Sequence, residues 1–291
     1  MSAKSDVELK IDAHRIRIGV LRGLSKSGAG HIGGSMSMAE LMAVLYGDVM
    51  RYRPTDPQWE DRDWLVVSKG HCGPAVYSTL ALHGFFPAAE LATINQGGTN
   101  LPSHCDRNRT PGIDMTTGSL GQGMSTAIGV AFGNRYQKYS NRTFLLLGDG
   151  ELQEGQVWEG AMFAAQHRLS NLVAFVDANQ KQLDGYTRDI CDLGDIAQKF
   201  RDFGWYAQDC DGNDVAAVRS AIGQAATANA RRPSMIVLHT EKGVGCSFAE
   251  GVFYNHHVKF SADQCRDAIQ RLEERIAMLE REHEEVYSCI A

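Results

Sequence analysis

The sequence predicts an α/β fold: a parallel β-sheet with helices on both faces. Three observations carry that expectation. Short apolar runs recur along the chain, helical stretches alternate with them, and the run 144–147 (FLLL) stops abruptly at Gly148-Asp149-Gly150. An apolar run this short, bounded by glycines, suits a strand buried on both faces. Strands alternating with helices imply crossover connections and parallel pairing. Loops at the carboxyl ends of such strands gather on one edge, where open α/β sheets bind ligands.

Taken in order, residues 6–24 carry Val7, Leu9, Ile11, Ile16, Ile18, Val20 and Leu21 among basic residues and read as an amphipathic helix running into a glycine-rich turn. Residues 37–50 read as a second helix, 63–71 as a strand with a loop at its carboxyl end, and 74–85 as helix again. The same rhythm continues with helix in 119–139, strand in 143–150, helix in 157–169, and strands in 171–179 and 234–243. The tail from Ser261 opens with S-x-x-Q, a capping-box signature, and carries Ile269, Leu272, Ile276 and Leu279 at three- and four-residue steps. It reads as a helix packed on the body or at a subunit interface. The expected division is a main domain over 1–260 and a terminal helix over 261–291.

The chain has 291 residues, 43% of them hydrophobic, enough for a large core. Its formal net charge of −6 leaves no basic footprint, so nucleic acid and anionic membrane are poor partners and a small molecule is the better one. Seven cysteines lie scattered without CxxC spacing, which argues against a disulfide framework and a structural zinc and suits a reducing cytoplasm. The charged N-terminal stretch has neither a signal-peptide apolar segment nor a membrane span.

Asp149 and Asn179 are separated by one helix and one strand, about the length of a βαβ step, so both should end neighbouring strands. An acid and an amide carbonyl at adjacent strand ends form an oxygen cage suited to Mg²⁺, which completes its shell with substrate phosphates. Amide groups at the start of the following helix could hold phosphate as well. Gly-Asp-Gly alone is also a common turn. Residues 23–30 lack the ending of a P-loop, and 118–123 follow no convincing strand, so neither is a nucleotide fingerprint.

The combination "GDGELQEGQVWEGAMFAAQHRLSNLVAFVDANQKQLDG" is the thiamine-diphosphate motif, and with "SGAGHIGGSMS", "SKGHCGPAVY", "TTGSLGQGMSTAIG" and "TEKGVGCSFAE" it makes the chain resemble the N-terminal, diphosphate-binding half of transketolase. It resembles in particular the split enzymes in which this half is a separate polypeptide. The resemblance covers residues 10 to 260 and implies the thiamine-diphosphate-binding fold. It implies thiamine diphosphate and Mg²⁺ (or Ca²⁺ or Mn²⁺) as cofactors. Asp149, the Asn179 side chain and the backbone carbonyl near Lys181 would ligate the metal, and Gly150, beside Gly148, would offer its amide to the diphosphate. Gly118 and Leu120 match the stretch that receives the cofactor's amino group and bends it into a V. Ala178-Asn179 stands where the family has Asn-Asn or Asp-Asn, which keeps the ligand and removes a polar neighbour.

Breaking a carbon–carbon bond beside a hydroxyl requires proton transfer near neutral pH, a task for histidine. By resemblance His31, His71 and His104 line the cofactor and the donor sugar, with His71 also on the cofactor. The family's Trp-His-Gly reads Asn255-His256-His257 here, so the fourth catalytic assignment, His256, could slide to His257. Glu154 and Glu159 resemble the family's interface and cofactor-side glutamates, although acids at a helix start are also favoured by the macrodipole. Asp177 is expected to orient a nearby histidine beside the cofactor.

The glutamate that activates thiamine comes in this family from a pyrimidine-binding domain across a subunit interface. That domain is not in this sequence. The resemblance therefore implies a companion C-terminal subunit, in a heterotetramer with two of each chain, and ping-pong transfer of a two-carbon ketol unit between anionic sugars. Rival readings are deoxyxylulose-phosphate synthase, the 2-oxo-acid dehydrogenase alpha subunit, and a non-catalytic scaffold.

Overall fold

The computed structural model describes the backbone of residues 3–228 and 231–290, with side chains as far as residue 284. Ten α-helices are present among the described residues: α1 (Asp6–Ser25), α2 (Gly33–Ser37), α3 (Ala39–Val44), α4 (Gly73–Leu82), α5 (Gln122–Tyr136), α6 (Gly155–Gln166), α7 (Thr187–Cys191), α8 (Ile196–Asp202), α9 (Val215–Ala228) and α10 (Ala262–Ile290). The strands are β1 (Ala29–Gly30), β2 (Trp64–Val67), β3 (Thr143–Gly148), β4 (Leu172–Ala178), β5 (Tyr206–Asp211), β6 (Ser234–His239) and β7 (Val258–Lys259). Five of them form one parallel sheet in the order β2-β3-β4-β6-β5, while β1 and β7 pair as a small antiparallel ribbon.

The alternation of side chains along the central strands divides the core in two. Phe144, Leu146, Phe175, Ile236 and Leu238 point to the face covered by α1, α3, α4 and α9. Leu145, Leu147, Ala174, Val176, Met235 and Val237 point to the face covered by α5, α6 and α8. Continuous apolar runs at 144–147 and 172–176 are thus required by burial on both faces, as the sequence predicts. The register of β3 with β4 sets Gly148 opposite Asp177, so the loops that carry Asp149 and Asn179 leave the sheet side by side.

Helix ends follow local chemistry. Ser5 and Glu8 close a reciprocal capping box on α1, and Ser261 and Gln264 exchange the same pair of bonds, 2.9 and 3.1 Å, ahead of α10. α10 lies against the body: Ala268 and Leu272 are buried, and Glu273 pairs with Arg22 of α1 at 2.8 Å.

Three features depart from the sequence reading. The helix expected over 37–50 begins at Ala39 as α3, after a break at Met38 that separates it from α2, and finishes in a wider π-turn over Leu45–Val49. β5 with its helices α8 and α9 had no counterpart in the apolar pattern. β5 is an edge strand of the sheet, pairs among the described residues with β6 alone, and carries Gln208, Asp209 and Asp211, so it lacks the two-sided burial that makes a strand conspicuous. The helix expected over 157–169 starts two residues earlier, at Gly155, after a 3₁₀ turn over Gly150–Gln153, and ends at Gln166.

Two histidines outside the ligand-bearing edge give the fold an acid sensitivity. His83 takes the Tyr52 hydroxyl at 2.8 Å on Nδ1, and its Nε2 is buried without a partner, as is Nδ1 of His14. Burial pushes both imidazoles down to about 4. Between about pH 4 and 6.5 the unfolded chain therefore binds protons that the folded chain refuses, so stability falls as pH is lowered through that window. With a discount for relaxation, each ring should cost about 1 kcal/mol at pH 5 relative to pH 7. Urea unfolding should show a midpoint lower by about 0.5 M at pH 5, with a smaller drop in His83→Phe; equal drops would remove His83 from this account.

Candidate active site

A cleft of about 440 Å³ opens at the carboxyl edge of the sheet, over the ends of β3 and β4. Its walls include His31, His71, His104, His256, Gly118, Leu120, Gly148, Asp149, Gly150, Glu154, Asn179 and Lys181. Twelve of the sequence-predicted residues therefore meet in one place, although they lie as far apart in sequence as His31 and His256. Two lie elsewhere. Asp177 is buried behind the wall at 1% exposure, and Glu159 borders a separate hollow between α5 and α6 with Phe132 and Phe163.

The floor is built from oxygens. Asp149, 5% exposed, accepts from the backbone amides of Gly150 at 2.8 Å and of Gln180, and among the described residues no side-chain cation bonds to it. Burial, with the Asp177 charge nearby, pushes its carboxyl up to about 7. Asn179 donates Nδ2 to Asp177 at 2.8 Å, which leaves its oxygen, Oδ1, to accept from the Lys181 amide at 3.2 Å. Because a carboxylate can only accept, Asp177 fixes which end of that amide is the nitrogen. The Lys181 carbonyl accepts from the Lys242 ammonium at 2.8 Å.

Among the described residues no histidine bonds to Asp177, contrary to the expectation from sequence. Its carboxylate is taken by Ser37 at 2.7 Å, by Asn179, by Thr240 and by the Lys69 ammonium. Burial opposes both charges, yet their mutual attraction holds Lys69 above its ordinary value and Asp177 below its own. Lys69 and Lys242, both lining the cleft, give its floor positive charge. Burial, together with the Lys69 charge, lowers Lys242 to about 8.

Glu151 is a further buried acid. It ties Gly121 at 2.8 Å, Gly148 at 3.0 Å and the Ser68 hydroxyl to the turn after β3. The bond from Gly150 to Asp149 occupies the amide that the sequence reading assigned to the diphosphate. Two glycines shape the wall. Gly118 has φ of +139°, and a Cβ there would stand 2.9 Å from the His104 ring; a Cβ on Gly150 would stand 2.8 Å from Cβ of Gln182.

Above the floor the imidazoles cluster around His31, whose ring centroid lies 5.5 Å from that of His71, 5.7 Å from His104, 5.3 Å from His256 and 5.0 Å from His257. Burial lowers His31 to about 4 and His256 to about 3, lowers His104, and drives His71 far below the usual histidine range, with neighbouring Lys69 adding to the last. All four are neutral near pH 7, each with one nitrogen to donate and one to accept. The Lys242 ammonium reaches Nδ1 of His256 at 3.3 Å, which places the hydrogen of that neutral ring on Nε2. Of the pair in question, His256 is the one in the cleft wall.

Lys69, Glu151 and Lys242 were missed as site residues. Lys69 stands in "SKGHCGPAVY", at the carboxyl side of a strand, and Lys242 in "TEKGVGCSFAE", at a glycine-rich turn. A charged residue in a stretch otherwise built for burial was the available signal.

Residues 9–282 match the family model for the transketolase, thiamine diphosphate binding domain. Similar curated proteins include the 6-deoxy-6-sulfo-D-fructose transketolase subunit SqwG of Clostridium sp. (strain MSTE9), 47% identical over 93% of this chain and 98% of that protein. An apulose-4-phosphate transketolase subunit of Phocaeicola vulgatus is 35% identical over 95% of this chain and 97% of its own length. Among solved structures, transketolase from Leishmania mexicana superposes with a TM-score of 0.83 at 27% identity, covering 98% of this chain and 46% of the other. The chain thus spans less than half of that transketolase and nearly the whole of the two shorter relatives. Built on the same fold and matched through almost its full length, the chain belongs to the family of the transketolase thiamine diphosphate-binding domain.

Proposed function

We propose that this chain is the thiamine diphosphate- and Mg²⁺-binding subunit of a two-chain transketolase, which moves a two-carbon ketol unit from an anionic ketose to an aldose. The observation that carries this is the meeting of the Asp149 carboxylate, the Asn179 amide oxygen and the Lys181 carbonyl beneath a ring of neutral imidazoles. The residues fit the absent groups. A buried carboxylate with only amide donors, a fixed amide oxygen and a carbonyl already facing an ammonium are hard oxygen ligands of the kind Mg²⁺ takes. Lys69 and Lys242 offset diphosphate charge, and Gly118 and Gly150 let the backbone pass close to the His104 and Gln182 side chains in the cleft wall, where a Cβ would collide.

When bound, thiamine diphosphate supplies the nucleophilic carbon and the electron sink for carbon–carbon cleavage. The chain's own residues do the rest. His256 donates from Nε2 to a substrate oxygen, because Lys242 holds Nδ1. His31, His71 and His104 have no hydrogen bond on their rings among the described residues, so their neutral nitrogens are free to donate to and accept from substrate hydroxyls. Leu120, in the cleft wall, would pack against the bound cofactor, and Glu154 lines the same cleft just ahead of α6.

A companion chain supplies the pyrimidine side of the site. Relatives of matching length are named as transketolase subunits, which supports a separate partner. Exposed Phe132, Met162 and Phe163 on α5 and α6, around a hollow of about 360 Å³, support burial of that face in a tetramer with two copies of each chain. Scattered thiols, all six described ones unpaired, support a cytoplasmic setting.

The test is reconstitution with the companion chain, assaying transfer from 6-deoxy-6-sulfo-D-fructose and from ketose phosphates to an aldose. The chain alone should give less than about 1% of the pair's rate, since removing an essential catalytic group typically costs 10² or more. Titration calorimetry of the pair should detect Mg²⁺-dependent binding of thiamine diphosphate. Turnover of pyruvate in place of a ketose, or no cofactor binding by the pair, would overturn this function.

A further inference from the structure

The antiparallel ribbon β1–β7 pairs Ala29 with Lys259 and Gly30 with Val258. Continued by one step, that register brings His31 opposite His257. The rings meet accordingly, edge to face, with centroids 5.0 Å apart and planes at 87°. The backbone next to them is pinned: Asn255 is buried, its carbonyl accepts from Gly33 at 3.0 Å, and its Nδ2 donates to the carbonyls of Lys242 at 2.7 Å and Ala249 at 2.8 Å. From this fixed segment His256 turns inward and His257 turns outward, so that His31 stands between one imidazole in the cleft and one at its mouth. His257 is exposed, and among the described residues no protein group hydrogen-bonds its ring.

We propose that His257 binds the sugar chain where it leaves the cleft and is a specificity-determining residue for the donor ketose. This rests on the transketolase function proposed above. The reacting carbonyl lies inside, among His71, His104 and His256, and the carbons beyond it must pass the mouth beside His31. There the free imidazole nitrogens of His257 meet a sugar hydroxyl. A ring held by a ribbon register loses little freedom on binding, which favours such a contact.

The test compares two donors in the reconstituted pair. Fructose 6-phosphate and 6-deoxy-6-sulfo-D-fructose have a chain beyond the reacting carbonyl. Hydroxypyruvate delivers the same two-carbon unit with release of carbon dioxide and has no sugar chain. In His257→Gly the ratio of kcat/KM for either ketose to that for hydroxypyruvate should fall about five- to tenfold, the size of one neutral hydrogen bond, mainly through KM for the ketose. His257→Asn, which keeps a donor and an acceptor, should recover about half of the loss on a logarithmic scale. Melting temperatures of both variants separate a folding defect from lost binding. An unchanged ratio in both variants, or equal losses on both kinds of donor, would overturn the role of His257 while leaving the transketolase function standing. Absence of transfer from every donor by the wild-type pair, with cofactor bound, would overturn the function itself and this inference with it.

Discussion

Asp149→Asn is expected to weaken Mg²⁺-dependent binding of thiamine diphosphate by the reconstituted pair at least about 100-fold, because it removes the one formal negative charge among the proposed ion ligands. The fold should survive. In the wild type the carboxylate lies desolvated beside the Asp177 charge, and its donors among the described residues are the amides of Gly150 and Gln180. An amide side chain keeps one acceptor and leaves one of those amides poorly matched, a cost of about 1 kcal/mol. Relief of a buried like-charge contact offsets it. The melting temperature without cofactor should therefore move by no more than about 3 °C. Calorimetry at saturating Mg²⁺ reads the first quantity and a thermal melt the second. Undiminished metal-dependent affinity would remove Asp149 from the ligand set; a large loss of stability would mean that the carboxylate serves the core.

The parts of this site that were legible in the sequence are those written in local patterns. Residues 144–147 and 172–176 declare strands buried on both faces, and the spacing from Asp149 to Asn179 declares that those strands are neighbours. Their adjacency follows from one crossover, with no long-range information needed. β5 was invisible for the opposite reason: as an edge strand with alternating polar residues it resembles a loop. The supporting contacts were equally hidden. Lys69 meets Asp177 across 108 positions and Glu151 meets Gly121 across 30, and no periodicity encodes such a pairing. The choice between His256 and His257 also depends on tertiary structure, since it turns on which side of a pinned backbone each ring falls.

The hidden contact between Lys69 and Asp177 is the one whose loss should cost most stability. Asp177→Ala removes the acceptor of four donors at once and leaves the Lys69 ammonium buried without its counter-charge, beside the Gly34 carbonyl 3.1 Å away. Breaking a buried ion pair from one side costs about 3–5 kcal/mol, so the melting temperature should fall by roughly 10 °C. Lys69→Met should cost a comparable amount, for it leaves the carboxylate without its counter-charge. Replacing both, as Lys69→Met with Asp177→Leu, removes the desolvated charges together and should be less harmful than either change alone. Cofactor affinity reads a second role of Asp177, the orientation of Asn179. Asn179 presents its oxygen to the cleft because Asp177 takes its nitrogen, so the double variant, though folded, should bind thiamine diphosphate and Mg²⁺ at least about tenfold more weakly, from the lost orienting hydrogen bond together with the lost Lys69 charge. Wild-type affinity in that variant would show that Asn179 needs no such support and that Asp177 serves only to neutralise Lys69.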